Sequence, residues 1–324
     1  MKFKKLGNTD ISVSVIGAGT WGIGGTWWSG TDEKESIDTI KASIEQGINF
    51  IDTAPAYGYG VSEGIIGKAI EGQRDKVVLA TKCGLIWGRE EGMFHFEHNG
   101  VKIHRYLAEN SIINELETSL RLLKTDYLDL YITHWQDATT PIEVTMNALM
   151  KLKKDGKIRA IGVSNASVEH MNEYIKYGQL DADQEKFNLL ENSANDQNIP
   201  WCVENNASFL AYSAIAQGIL TGAIDPEAKF AADDIRSMNP LYEKETVIKI
   251  NEMLKSHFKP MAEKYNCSLT QLAIASVASM QNVIALCGAR NMSEAEENAK
   301  AGDIVISADD LMALKNIVKT NLDM

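Results

Sequence analysis

This 324-residue chain lacks any stripe of positive charge: its 32 Lys and Arg are outnumbered by 44 Asp and Glu, for a net charge of −12. Sequence-independent nucleic-acid binding depends on clustered cations that neutralise phosphates. Nucleic acid is therefore excluded as a partner. Cysteine is scarce, with only Cys83, Cys202, Cys267 and Cys287, and no C-x-x-C spacing. Two of the four fall in apolar runs, so buried free thiols in a reducing compartment are expected rather than a disulfide framework or a zinc site. No apolar run is long enough to span a bilayer, and the opening MKFKKLGNTDISV has no apolar signal region. No membrane association and a cytoplasmic location are expected. Low-complexity segments and linkers are also missing. What is present is 44% hydrophobic and only 23% charged residues, enough for a large core and unlike a disordered chain.

Strand-like apolar runs alternate with helical patterns. The runs are SVIGAG (14–19), INFID (48–52), VVLATK (77–82), YLDLYITH (127–134), IRAIGVS (158–164), LDADQ (180–184), SFLAYS (208–213) and VIALCG (283–288). Helices precede or follow each. One spans roughly 33–46, with Asp32 as N-cap, Glu35 in capping-box position, a stripe of Ile37, Ile40 and Ile44, and Gly47 as its stop. Further caps are expected at Thr140–Pro141–Glu143, Ser167, Ser268–Gln271 and Ser307–Asp310. Strict β-α alternation implies a parallel sheet. Eight units in about 300 residues fit one closed (β/α)8 barrel, a single domain over residues 1–324. KFKKLGNTDISV reads as an N-terminal hairpin turning at Gly7-Asn8 and capping the barrel bottom, and the tail after Ser307 reads as an extra C-terminal helix. The longest irregular stretches are expected at 83–103 and 218–240.

Gly17, Gly19 and Gly22 spell the G-x-G-x-x-G of a dinucleotide-binding loop. That fingerprint works only where a helix starts inside it and presents its N-terminus to a pyrophosphate. Here Gly24, Gly25 and Gly30 forbid a helix, and the first one begins about ten residues later. A tight βα loop at a barrel mouth is the expected structure instead.

Strand C-termini converge at the mouth of such a barrel. Those ends carry Asp52, Lys82, His134, Ser164–Asn165, Gln184, Tyr212 and the segment GARN (288–291), with Tyr57 on the loop after Asp52. Asp, Lys, Tyr and His together suit proton transfer to a carbonyl oxygen. A phenol with a pKa of about 10 is a poor acid at neutral pH, and a cation beside it lowers that pKa. Lys82 is expected to be that cation, Asp52 to orient it, and a neutral His134 to hydrogen-bond the substrate oxygen. Each residue alone also suits a plain structural role, as a barrel-closing ion pair, a packed ring or an interior histidine. All four at one barrel end make independent structural roles a poor explanation.

The segments GINFIDTAPAYGYGVSEGIIGKA, TDYLDLYITHWQD, GKIRAIGVSN, AYSAIAQGILTG and GARNMSEAEEN together resemble the aldo-keto reductase superfamily, in its bacterial sugar- and aldehyde-reductase branch. The resemblance covers nearly the whole chain in the family's order. It implies an NAD(P)(H)-dependent carbonyl reductase or alcohol dehydrogenase with a catalytic set of Asp52, Tyr57, Lys82 and His134. It places Gly19, Thr20, Trp21 and Asp52 by the nicotinamide, Ser164, Asn165 and Gln184 on its carboxamide, and Tyr212 stacked on its ring. Ser213, Ala214, Ile215, Ala216, Gln217, Gly218 and Leu220 would receive the pyrophosphate. Gly288, Arg290, Glu294, Glu297 and Asn298 would hold the adenosine end, with Arg290 matching a 2′-phosphate contact. Two departures weigh against that phosphate: LTGA ends in Ala223 where relatives carry Lys, and Glu294 replaces a frequent Gln. NADP(H) is the expected cofactor, with NAD(H) open. Ala166 and Phe187 are milder departures that reshape the pocket.

Trp21, Tyr57, Trp87, His134 and Trp135 are the expected substrate contacts, and Trp27 and Trp28 add aromatic surface on a mouth loop. Plain loop packing is the alternative for these tryptophans. Small aldehydes, aldoses and ketoses are the expected substrates, with polyol oxidation as the physiological alternative. His95, His98 and His104 read as loop polar groups rather than metal ligands, and no metal is expected. Two rival readings remain: a non-catalytic redox-sensing channel β-subunit-like protein, and an aldolase forming a Lys82 Schiff base. A monomer or weak homo-oligomer is expected.

Overall fold

A computed structural model describes residues 1–25, 28 and 32–322. Its centre is a closed barrel of eight parallel strands. They are β1 (Ile16–Gly19), β2 (Phe50–Asp52), β3 (Val78–Cys83), β4 (Leu128–Thr133), β5 (Ile158–Ser164), β6 (Ala182–Lys186), β7 (Ser208–Tyr212) and β8 (Val283–Cys287). Each pairs with its neighbour in sequence, and β8 closes on β1 through Cys287↔Ala18. All eight coincide with the apolar runs of the sequence.

Alternate residues of a strand face the same way, so each strand sends one column of side chains into the barrel. The lower levels are apolar: Phe50, Val78, Leu130, Ala182, Leu210 and Ile284 share one buried cluster. Leu6, Ile11 and Val13 of the N-terminal hairpin (Phe3–Lys5 with Ser12–Ser14) close it from below. Gly7 makes that closure tight, because a Cβ there would lie 2.2 Å from the Asp181 carbonyl oxygen. Its backbone is left-handed, φ +54°, which a glycine adopts without strain.

Helix starts follow their caps. Asp32 accepts from the Glu35 amide, and Ser167 and Ser268 form complete capping boxes with His170 and Gln271. Thr140 is an exception. The helix Ile142–Lys154 has Pro141 as its N-cap, and the Thr140 hydroxyl donates to Asp137 instead. The four cysteines are free thiols, three of them buried. Among the described residues no helix is long and apolar enough to cross a membrane.

Two segments differ from the sequence expectation. Residues 83–103 are not irregular: Leu85–Trp87, Met93–His98 and Val101–Arg105 form a three-stranded antiparallel sheet. Residues 244–264 form a helical run with no counterpart in the sequence reading. Its middle, Leu254–Phe258, has π geometry just before Pro260. A proline inside a helix lacks an N–H and clashes with the preceding turn, and a widened turn relieves both. The stretch 218–240 does stay largely aperiodic, with short 3-10 turns at Ala216–Thr221 and Ile235–Met238.

Candidate active site

The inward columns explain where the polar residues sit. Two residues above Phe50 is Asp52, and two above Ala80 is Lys82. Ile132 leads to His134, Gly162 to Ser164, Ala182 to Gln184 and Leu210 to Tyr212. The sequence changes from apolar to polar at one height around the barrel, which is its C-terminal rim. In β1 and β8 the columns end in Gly19 and Gly288 instead. A Cβ at either would meet nothing nearer than 3.7 Å. The rim is therefore filled on one side and open on the other.

Lys82 is the hub. Its side chain is 0% exposed, and its Nζ donates to Asp52 Oδ2 at 2.8 Å, Asp52 Oδ1 at 3.0 Å, the Thr53 carbonyl at 2.9 Å and Tyr57 Oη at 3.1 Å. Asp52 also accepts from Gln184 Nε2 at 2.8 Å. Burial pulls the Lys82 pKa down, but Asp52 and Tyr57 outweigh it and the net direction is upward. The ammonium stays charged.

Tyr57 corrects one expectation. Burial raises its pKa above the ordinary phenol value, Lys82 pulls it down without prevailing, and Asp52 adds to the rise. The sequence reading had Lys82 making this phenol more acidic than usual. The difference lies in the depth of the site, and in Asp52, which opposes a phenolate as well as orienting Lys82. The phenol is thus held protonated, with its hydrogen-bonded cation ready to stabilise the oxygen once the proton leaves.

The Tyr57 ring packs edge-on against His134, centroids 5.9 Å apart, and lies 6.4 Å from Trp21. Burial, then the Lys82 charge, then His95 depress the His134 pKa well below the usual imidazole value. His134 is therefore a neutral donor or acceptor at physiological pH. Gly24 fixes the height of the Tyr57 loop, since a Cβ there would lie 2.5 Å from the Tyr57 carbonyl carbon. Gly24, just beyond the glycine motif, thus serves the tyrosine loop, and the first α-helix starts only at Glu33. Gly24→Ala should displace Tyr57 by a fraction of an ångström and lower kcat by about 10²-fold, as small misplacements at a reacting centre do. Steady-state kinetics beside a cofactor titration checks this, and full activity contradicts it.

The neighbouring rim is a connected network. Asn165, left-handed at φ +52°, turns its Nδ2 to the His134 carbonyl at 2.9 Å and to Ser164 Oγ at 3.1 Å. Tyr212 Oη donates to Asn165 Oδ1 at 3.0 Å. Ser164 Oγ donates to the Gln184 carbonyl at 2.8 Å. Thr20 hydroxyl and amide both bind the Asp52 carbonyl, which joins the β1 loop to the carboxylate.

The β7 loop is partly spoken for. The amides of Ala216, Gly218 and Leu220 donate to Ser213, Ile215 and Ile215 carbonyls, and the Leu220 side chain is fully buried in the core. Ser213, Ala216, Gln217 and Gly218 all have positive φ, so this loop coils into the kind of concavity that receives anions. Gln217 is tied to Asn239 and the Ala216 carbonyl to Tyr242. At the far end, the Asn298 amide holds the Gly288 carbonyl. Glu297 faces away, accepting from Ser268. Arg290 is bound by Glu294, which accepts from its amide at 2.9 Å and its guanidinium at 3.0 Å.

A nicotinamide dinucleotide fits this donor set. Ser164, Asn165 and Gln184 offer amide and hydroxyl partners, Tyr212 a held aromatic face, the gap over Gly19 and Gly288 the space, and the β7 loop a concavity for phosphate.

Of the expected substrate rings, Trp21, Trp87 and Trp135 are half-buried near the mouth. Trp87 stacks with Tyr59 at 5.0 Å and Trp135 with His95 at 4.8 Å. Trp28 meets Trp21 edge-on at 5.8 Å. Trp27 lies outside the described residues. His95 and His104 do not converge: His104 Nδ1 meets the Glu91 carbonyl, while His95 meets Arg105. Arg105, which the sequence reading passed over, stands beside Trp135. Its position in a locally paired sheet could have been found only from the Asn99-Gly100 hairpin signal.

Comparison with known proteins agrees with the geometry. The sequence profile of the aldo/keto reductase family matches residues 15–319. Aldo-keto reductase YhdN of Bacillus subtilis (strain 168) is 37% identical over 325 residues, covering 99% of this chain and 95% of its own. The NADH-specific methylglyoxal reductase of Escherichia coli (strain K12) is 36% identical over 326 residues, covering 98% and 99%. The solved glycerol dehydrogenase AKR11B4 from Gluconobacter oxydans superposes with a TM-score of 0.90 at 34% identity, covering 99% of this chain and 96% of that one. The chain belongs to the aldo/keto reductase family of oxidoreductases.

Proposed function

We propose that this protein reduces small aldehydes and ketones to alcohols, with Tyr57 delivering the proton to the carbonyl oxygen. The observation that carries the reading is the Lys82 ammonium, 3.1 Å from Tyr57 Oη and clamped by Asp52 at 2.8 Å. Bound NAD(P)H supplies the hydride. The protein's own part is to hold the carbonyl oxygen between Tyr57 Oη and His134 and to move one proton. His134, kept neutral by burial and Lys82, donates a hydrogen bond without competing as the acid. Lys82 stabilises the phenolate left behind, and Asp52 keeps Lys82 in register. Trp21, Trp87 and Trp135 wall the carbon chain of the substrate. The whole chain, 1–324, acts as one unit and as a monomer or weak oligomer in the cytoplasm.

One rival reading loses support. A Schiff-base lysine needs a free neutral amine, whereas Lys82 is raised in pKa and bound to a carboxylate. A redox-sensing β-subunit-like protein could keep the same cofactor and the same four residues, and carbonyl turnover in the screen below separates the two readings. Polyol oxidation by the same groups stays the second reading, favoured by the likeness to the Gluconobacter glycerol dehydrogenase. A spectrophotometric screen of NADH and NADPH oxidation across aldehydes, aldoses and ketoses tests the proposal. No turnover of any of them defeats it.

The cofactor reading shifts with Arg290. Glu294 already holds one nitrogen of its largely exposed fork, so a 2′-phosphate meets a neighbouring carboxylate that repels it, whereas a 2′-hydroxyl does not. The lean to NADP(H) loses its main support, and NADH is proposed as the better ligand. The NADH-specific name of the E. coli relative points the same way. Glu294→Gln should free the guanidinium and improve NADPH binding relative to NADH by about 10-fold, the value of one charge-assisted contact of ~1.4 kcal/mol. Fluorescence titration of both nucleotides reads this. A wild-type preference for NADPH, untouched by the substitution, refutes it.

A further inference from the structure

The three-stranded sheet over the mouth carries a cation with no counter-ion. Arg105 ends the strand Val101–Arg105, and among the described residues no carboxylate lies within ion-pair distance of it. Its Nε is shielded from solvent and has no acceptor. Its guanidinium lies over the Trp135 ring, Cζ 4.6 Å from the centroid, and Nη2 donates to His95 Nδ1 at 2.8 Å. Burial and the Arg105 charge hold the His95 pKa at about 4, so the imidazole is neutral. With Nδ1 accepting, its single proton resides on Nε2, for which no partner is present among the described residues.

This pair adjoins the chemistry. Trp135 follows His134 directly, the His95 and Trp135 rings are 4.8 Å apart, and His134 faces Tyr57 at 5.9 Å. A half-buried cation without a counter-ion costs desolvation free energy that its neutral neighbours only partly return, and an anion arriving from solution offsets the rest. Guanidinium and imidazole N–H groups side by side suit the two oxygens of a carboxylate. Packing alone would need no charge here, because a neutral long side chain covers Trp135 equally well.

We propose that Arg105 and His95 form a carboxylate-recognition centre, and that the preferred substrates are aldehydes or ketones carrying a carboxylate at the end remote from the reacting carbonyl. This rests on the reductase reading above and adds the substrate class.

Succinic semialdehyde and butanal test it, since both have four carbons and differ in the carboxylate. Wild-type kcat/KM should favour succinic semialdehyde by at least about 10-fold, and Arg105→Met should bring that ratio down to about one through KM, as loss of the group that binds the carboxylate does. Arg105→Lys, which keeps the charge and the packing, should lose the fork and fall between them. Succinate should quench tryptophan fluorescence in the wild type and not in Arg105→Met. If butanal is reduced but the ratio is near one, or survives Arg105→Met, the carboxylate centre is overturned and the reductase reading stands. If neither is turned over while other carbonyls of the screen are, the carboxylate centre alone falls; if no carbonyl is turned over, both fall.

Discussion

Tyr57→Phe should abolish reduction, lowering kcat by at least about 10³-fold, within the range ascribed to a positioned general acid, while cofactor binding persists. The substitution removes one oxygen from a half-buried ring whose shape and packing against His134 and Trp21 remain. Lys82 keeps Asp52 and the Thr53 carbonyl, three of its four contacts. The fold and the rim residues Asn165, Gln184 and Tyr212, proposed to hold the cofactor, are therefore untouched, and only the proton route is lost. Stopped-flow or steady-state assays with a nucleotide titration separate the two effects. If kcat fell less than tenfold, another donor would have to be found, and His134 would be the first to examine.

Lys82→Met should cost both activity and stability. It leaves Asp52 buried and charged, with Gln184 as its remaining side-chain partner, and removing one member of a buried pair destabilises by about 3–5 kcal/mol. Phenolate stabilisation disappears as well, so turnover should fall as far as in Tyr57→Phe. The double variant Asp52→Leu/Lys82→Met should recover most of the stability and none of the activity, because matched apolar groups remove the unpaired charge. Urea unfolding midpoints read the first part and assays the second. A single variant as stable as wild type would mean that water or a neighbour satisfies Asp52 in a way the present geometry does not show.

The barrel was legible because its pattern repeats. Eight strand-like runs alternating with helical patterns mark the strands to within two or three residues. The switch from apolar to polar within one inward column marks the rim, as from Phe50 to Asp52 and from Ala80 to Lys82. The side sheet was harder. Its strands are short, and Gly84, Gly88, Gly92 and Gly100 punctuate the segment between them, so no long burial period is visible. Its one clear signal was Asn99-Gly100, both left-handed at φ +50° and +76°, the residues that a two-residue hairpin turn requires. The helix around Pro260 hid behind the residue that usually ends helices.

Charge balance was the least legible feature. Residue types at Asp52, Tyr57 and Lys82 suggested a phenol pulled down in pKa, but the outcome depends on burial, which a linear sequence does not carry. Arg290 and Glu294 could be read as an i,i+4 pair. Which ligand the guanidinium meets, carboxylate or phosphate, depends on the side chain's direction. Leu220 shows the same limit: its side chain packs into the core, which a match made on loop amides does not reveal.

The most direct test of the proton route is the pH dependence of kcat/KM for carbonyl reduction. Burial raises the Tyr57 pKa, so the working form is the protonated one and is present throughout the neutral range. The account predicts a flat profile from about pH 6 to pH 9 and a fall on the alkaline side, as the phenol loses its proton above the ordinary value of about 10. A fall as pH rises through about 6.5, where an ordinary imidazole deprotonates, would show that a histidine supplies the proton and would contradict it.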